Sequence, residues 1–111
     1  MTPLIIEAAI NGATPKAMNP NVPRTVDEIV DDACACIDAG AAIIHHHNDD
    51  RLLQGRHSSQ PYLAAWKRIY ERHPQALIYP TMGGSGPSTN AVERYQHVKE
   101  LAHAGMLRMS L

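Results

Sequence analysis

Three consecutive histidines, His45-His46-His47, close the apolar run Ala41-Ala42-Ile43-Ile44 and stand directly before the polar Asn48-Asp49-Asp50. Side chains alternate across an extended strand, so His45 and His47 project to one face and His46 to the other. The roots of the outer pair are then about 7 Å apart, near enough for both rings to turn onto one cation. Neutral imidazole nitrogen suits zinc, with another divalent metal as the alternative. A catalytic zinc site adds a carboxylate or a third histidine and leaves one position open. Asp50 lies past the strand end, so the third ligand is expected from outside this chain. His46, on the opposite face, is expected to be a hydrogen-bonded structural residue.

A second candidate is the stretch Thr81-Met82-Gly83-Gly84-Ser85-Gly86, which precedes a helical pattern. Backbone N–H groups at Gly83, Gly84 and Ser85 can approach an anion closely, beside a helix N-terminus that favours negative charge. A carboxylate or phosphate fits there, with the Thr81 hydroxyl facing the same space. The bland reading of these glycines is a plain strand-to-helix connector. Asn11 ends the first apolar run at the same rim, and Thr14 and Lys16 follow in a loop whose length favours a functional role. Glu7 sits within that run, where a buried carboxylate needs a basic partner, so a salt bridge is expected.

These residues must be held by regular elements. Leu4 to Ile10 reads as strand 1, buried on both faces and stopped by Asn11-Gly12. Thr25 and Glu28 form a capping box for a helix whose Val26, Ile29, Val30, Ala33 and Ile37 recur at helical spacing until Gly40. Strand 2 runs from Ala41 into the histidines. Ser59 is expected to cap a second helix with the stripe Leu63, Trp66, Ile69 and Tyr70, and Ala76 to Thr81 is strand 3. Thr89 or Asn90 opens a third helix facing inward through Val92, Tyr95, Val98, Leu101 and Ala102, and Met106 to Leu111 reads as the start of strand 4. Strands alternating with helices are the pattern of parallel βαβ units, hence an α/β fold. A (β/α)8 barrel needs about 250 residues, so residues 1–111 are expected to be the N-terminal portion of one barrel domain, with strands 1–4 and three helices.

Bulk properties narrow the partners. With 10 basic and 11 acidic residues the net charge is -1, which offers no large positive field to nucleic acid or an anionic membrane surface. The early apolar run is too short to span a bilayer and has no basic residue before it. Cys34 and Cys36 sit two apart in a helical pattern, where they cannot pair. A cytoplasmic protein acting on small molecules is expected.

Taken together, Leu4 to Ala13, Asn19-Pro20-Asn21-Val22-Pro23, Asp27-Glu28-Ile29, Ala39 to His47 and Thr81-Met82-Gly83-Gly84 resemble, in order, the β-keto acid cleavage enzyme family. The resemblance covers nearly the whole chain. It implies a (β/α)8 TIM barrel in which His45 and His47 hold Zn2+ with a glutamate from a late strand. It also implies condensation of a β-keto acid with acetyl-CoA as co-substrate, and cleavage to acetoacetate and a new acyl-CoA. A cation beside the keto oxygen and carboxylate would stabilise the enolate that attacks the thioester, and donors near Gly83-Gly84 would steady the carboxylate. Carried over, Thr81 and Asn11 are expected to be catalytic, Thr14, Gly83, Gly84 and Ser85 to bind substrate, and the protein to be a homo-oligomer. Departures are visible: Asp49 replaces an arginine found in several members, Thr81 a serine, and Thr14 a glutamate of a well-known member. A neutral or differently charged keto acid is therefore expected rather than an amino-bearing one.

Two rival readings follow from the residues. A metal-dependent hydrolase of the amidohydrolase or phosphoesterase type also uses His-x-His at a barrel strand end, though usually on strand 1 with further histidines downstream. A small open-sheet module would use the Gly83-Gly84 loop to bind an anion without catalysis.

Overall fold

The computed structural model describes residues 2–48, 58–82 and 90–109. Its elements are β1 (Glu7–Ala9), α1 (Val26–Asp38), β2 (Ile43–His46), α2 (Ser59–Arg72), β3 (Leu77–Pro80) and α3 (Ala91–His103). The strands form one parallel sheet in sequence order, β1-β2-β3. Glu7 pairs with Ile43 and Ile43 with Leu77; one step on, Ile44 stands between Ala8 and Ile78, and the next rung is Ala9, His45 and Tyr79.

Local chemistry sets the helix ends. Thr25 Oγ1 accepts from Glu28 N at 3.2 Å, and Glu28 Oε2 accepts from Thr25 N at 3.0 Å, so the capping box starts α1 as expected. Gly40 takes φ of 108°, with Gly40 N donating to Ile37 O and Ala41 N to Cys36 O, both at 2.9 Å. That paired 5→2 and 6→1 pattern is a Schellman stop, and the left-handed residue at its centre favours glycine. Gly105 repeats it after α3 at φ of 69°. Ser58, one residue earlier than expected, caps α2, and Asn90 caps α3 by accepting from Glu93 N at 2.9 Å.

The core lies between the helices and one face of the sheet. Ile44 and Ile78 from the strands join Ile29, Val30 and Ala33 of α1, Tyr62, Trp66 and Ile69 of α2, and Leu101 of α3. All three helices therefore cover the same face, and the other, carrying Glu7, Ile43, His45, Leu77 and Tyr79, is only partly covered. Three expectations change here. Strand 1 is shorter than the expected Leu4 to Ile10, spanning Glu7–Ala9, and is not buried on both faces: Glu7 and Ala9 are exposed and Ala8 half-buried, because among the described residues no layer opposes its second face. In α3 the buried residues are His97 and Leu101, while Val92 and Tyr95 are exposed, since the helix turns only a narrow stripe toward α2. Residues 106–109 pair with no strand among the described residues, and Ser110 and Leu111, the rest of the expected strand 4, lie outside them; Tyr70 Oη donates to Met106 O at 3.0 Å and Arg108 lies 3.9 Å over the Tyr70 ring. Among the described residues no helix is long and apolar enough to cross a membrane.

Candidate active site

The alternation expected of β2 is present. His46 enters the helix layer and is fully buried, whereas His45 and His47 stand on the uncovered face with ring centroids 5.1 Å apart and planes at 76°. His45 is also stacked on Tyr79 of β3, at 4.4 Å and 24°. Burial lowers the His45 pKa, opposed by the Tyr79 backbone and the Glu7 charge, so the ring is held in the neutral form that ligates metals. Its Nδ1 is buried and makes no hydrogen bond. An orphaned imidazole nitrogen beside a second imidazole on the same face fits two ligands of a zinc site. Among the described residues no cluster of three His, Cys, Asp or Glu side chains could complete it.

His46 is a different case. Trp66 Nε1 donates to its Nε2 at 2.7 Å, and its Nδ1 lies 3.5 Å from His47 O. Indole N–H can only donate, so Nε2 accepts and the proton resides on Nδ1. Burial pushes the His46 pKa down to about 3, which keeps it neutral. The structural role expected for it agrees with these contacts.

Each strand end is fastened from behind. Asn11 donates through Nδ2 to His47 O at 2.8 Å and to Pro23 O at 3.1 Å, and accepts from His47 N at 2.8 Å. Both amide hydrogens and the carbonyl are thereby engaged with backbone, which positions the His47 main chain. Tyr62 Oη donates to His46 O and accepts from Thr81 N, both at 3.3 Å, bridging β2 to the end of β3. His97 Nε2 lies 2.8 Å from Thr81 O; the carbonyl can only accept, so His97 donates. Thr81 is half-buried, with its hydroxyl 3.5 Å from Met82 O.

The β1–α1 loop is closed by a buried cation. Arg24 donates to Gly12 O at 3.1 Å and to Thr14 O, leaving the Thr14 side chain exposed. Lys16 is held away from the strand ends by Glu28 Oε1 at 2.7 Å and Pro20 O at 3.3 Å. Glu7 has a phenol for a partner instead of the expected basic residue: Tyr79 Oη donates to Glu7 Oε1 at 2.5 Å. Burial, then the Glu7 carboxylate, raises the Tyr79 pKa to about 12. Gly83, Gly84 and Ser85, with Asp49 and Asp50, lie outside the described residues.

Tyr62, Tyr79, His97 and Arg24 were not singled out from sequence. Only Tyr79 carried a readable signal, since the two-residue period of β3 puts it on the face of Thr81.

The chain is 42% identical over 99 residues to 3-keto-5-aminohexanoate cleavage enzyme of Acetoanaerobium sticklandii, covering 88% of this chain and 36% of that protein. It is 38% identical over 97 residues to the protein of the same name from Fusobacterium nucleatum, covering 86% and 35%. It is 49% identical over 87 residues to 3-oxoadipate:acetyl-CoA acetyltransferase of Cupriavidus necator, covering 74% and 29%. The chain thus spans about one third of the length of these curated relatives. Residues 3–110 match the family described as beta-keto acid cleavage enzyme, and the chain belongs to that family.

Proposed function

We propose that the protein carrying this chain is a zinc-dependent acyltransferase that condenses a β-keto acid with acetyl-CoA and cleaves the adduct to acetoacetate and a new acyl-CoA. One carbon–carbon bond forms to the acetyl carbon and one breaks at the keto carbon. The coenzyme A thiolate that leaves in the first step takes up the acyl group released in the second, so no oxidant or reductant is needed. The observation that carries this reading is the convergence of His45 and His47 at the end of the central parallel strand, in a chain of this family. A sheet in sequential parallel order with its helices on one face supports the wall of a (β/α)8 barrel, whose chemistry gathers at the carboxyl ends of the strands.

Bound zinc would supply Lewis acidity toward the keto oxygen. His45 and His47 would hold it through imidazole nitrogens, and Asn11 fixes the His47 backbone so that the second ring keeps its place. Thr81, its main chain held by Tyr62 and His97, presents a hydroxyl to the substrate carboxylate, and Gly83, Gly84 and Ser85, which lie outside the described residues, are the further residues proposed to bind it. Thr14 contacts the variable side chain of the keto acid. It brings no carboxylate there, so neutral or anionic keto acids are the expected substrates.

The test is an acetoacetate assay on the intact protein with a panel of β-keto acids. Product that requires both keto acid and acetyl-CoA, and that is lost on chelation of metal, is expected. Turnover without acetyl-CoA would point to a hydrolase, and no product with any keto acid would overturn the reading.

A further inference from the structure

We infer that Tyr79, anchored by Glu7, is a positioning residue that sets the ring plane of His45 for the cation it shares with His47. The inference rests on the metal site proposed above. It starts from a strap laid across the whole sheet: Glu7 stands on β1, His45 on β2 and Tyr79 on β3, all on the face the helices leave uncovered. Tyr79 and His45 occupy the same rung, and their rings stack at 4.4 Å. The Tyr79 hydroxyl then reaches Glu7 Oε1 at 2.5 Å, and Glu7 belongs to the rung of Ile43, two residues nearer the strand start. The strap therefore runs beneath His45, on the side toward the strand start.

Such a device answers a physical need. Rotation about the terminal torsion of histidine is broad, so a ligating ring requires a partner that fixes its plane. In many metal sites that partner hydrogen-bonds to the far nitrogen, and its loss typically costs about 10- to 100-fold in metal affinity. The His45 plane is restrained by the Tyr79 face on one side and the His47 edge on the other, besides its contact with the Tyr79 backbone. An unanchored phenol could itself rotate away; the Glu7 carboxylate prevents this.

Competition titration of Zn2+ against a chromophoric chelator, with visible spectra of the Co2+ form, tests the pair on the intact protein. Tyr79→Leu, which removes the stack, is expected to weaken Zn2+ binding about tenfold or more. Tyr79→Phe and Glu7→Leu each keep the stacking ring but release its anchor; both should weaken binding less and shift the Co2+ bands alike. Their combination should do no more than either alone, and Glu7→Gln, which keeps an acceptor oxygen, should recover most of the loss. Thermal melting of the metal-free forms separates these effects from unfolding. Unchanged affinity and Co2+ spectra in Tyr79→Phe and Glu7→Leu, or losses that simply add, would overturn the inference. Absence of Zn2+ binding by the wild-type protein would instead overturn the metal site itself.

Discussion

Two faces of one short strand treat the same residue type in opposite ways. On the helix side His46 is fully buried, accepts from Trp66, packs against Tyr62 and is kept neutral down to a pKa of about 3. On the other side His45 and His47 meet edge to face, and His45 keeps a nitrogen without a hydrogen bond. A buried polar atom left unsatisfied is costly, and the metal proposed above would relieve that cost at His45. The difference teaches that the packed face positions, and on the proposed function the uncovered face reacts.

Breaking the reactive side should give the largest effect on function and a small one on folding. Replacing His45 or His47 with Ala is expected to abolish zinc retention in the intact protein, beyond the roughly 10- to 100-fold typical of outer contacts, while thermal melting of the metal-free form changes little; metal analysis and calorimetry check both. His46→Leu should do the reverse. It orphans the Trp66 N–H in the core, which costs about 1–3 kcal/mol, readable by urea denaturation. Equal loss of metal in all three variants would erase the distinction between the faces.

Asn11→Ala sharpens the comparison, because Asn11 serves the reactive side only through backbone. Loss of its bonds to His47 and Pro23 is expected to reduce stability by about 1–3 kcal/mol and zinc affinity by less than removal of either ligand. Asn11→Asp keeps the bond from His47 N and should restore part of both. The smallest effect concerns Glu28, far from either face. Hydrogen bonds from Lys16, Arg24 and Thr25 hold its pKa at about 2 against an ordinary value of 4.5. A carboxylate with a depressed folded-state value contributes stability that is fully present above about 4.5 and is lost as pH falls through about 2. In Glu28→Gln the acid limb between those values should be flatter, as pH-dependent melting would show.

Much of the frame was legible because it depends on neighbours in sequence. Thr25 and Glu28 lie one helical turn apart, so their reciprocal capping needs no distant partner. The same holds for Gly40 and Gly105, which end helices by adopting positive φ. His97 was not legible: weighing apolar residues along α3 favoured Val92 and Tyr95, but the helix turned a histidine inward because Thr81 O needed a donor at the end of β3. The partner of Glu7 is not legible for a related reason. That partner, Tyr79, is brought near only by pairing through β2.

By itself the sequence determined that His45 and His47 share a face, since a two-residue period is a property of any extended chain. It also determined where α1 begins and ends. Tertiary structure decided which face the helices would cover, that Asn11 would clasp His47, and that a tyrosine from β3 would lie against His45 while holding a glutamate of β1. Those outcomes depend on register between strands separated by whole helices, and register is settled by packing of the completed sheet rather than by any local run of residues.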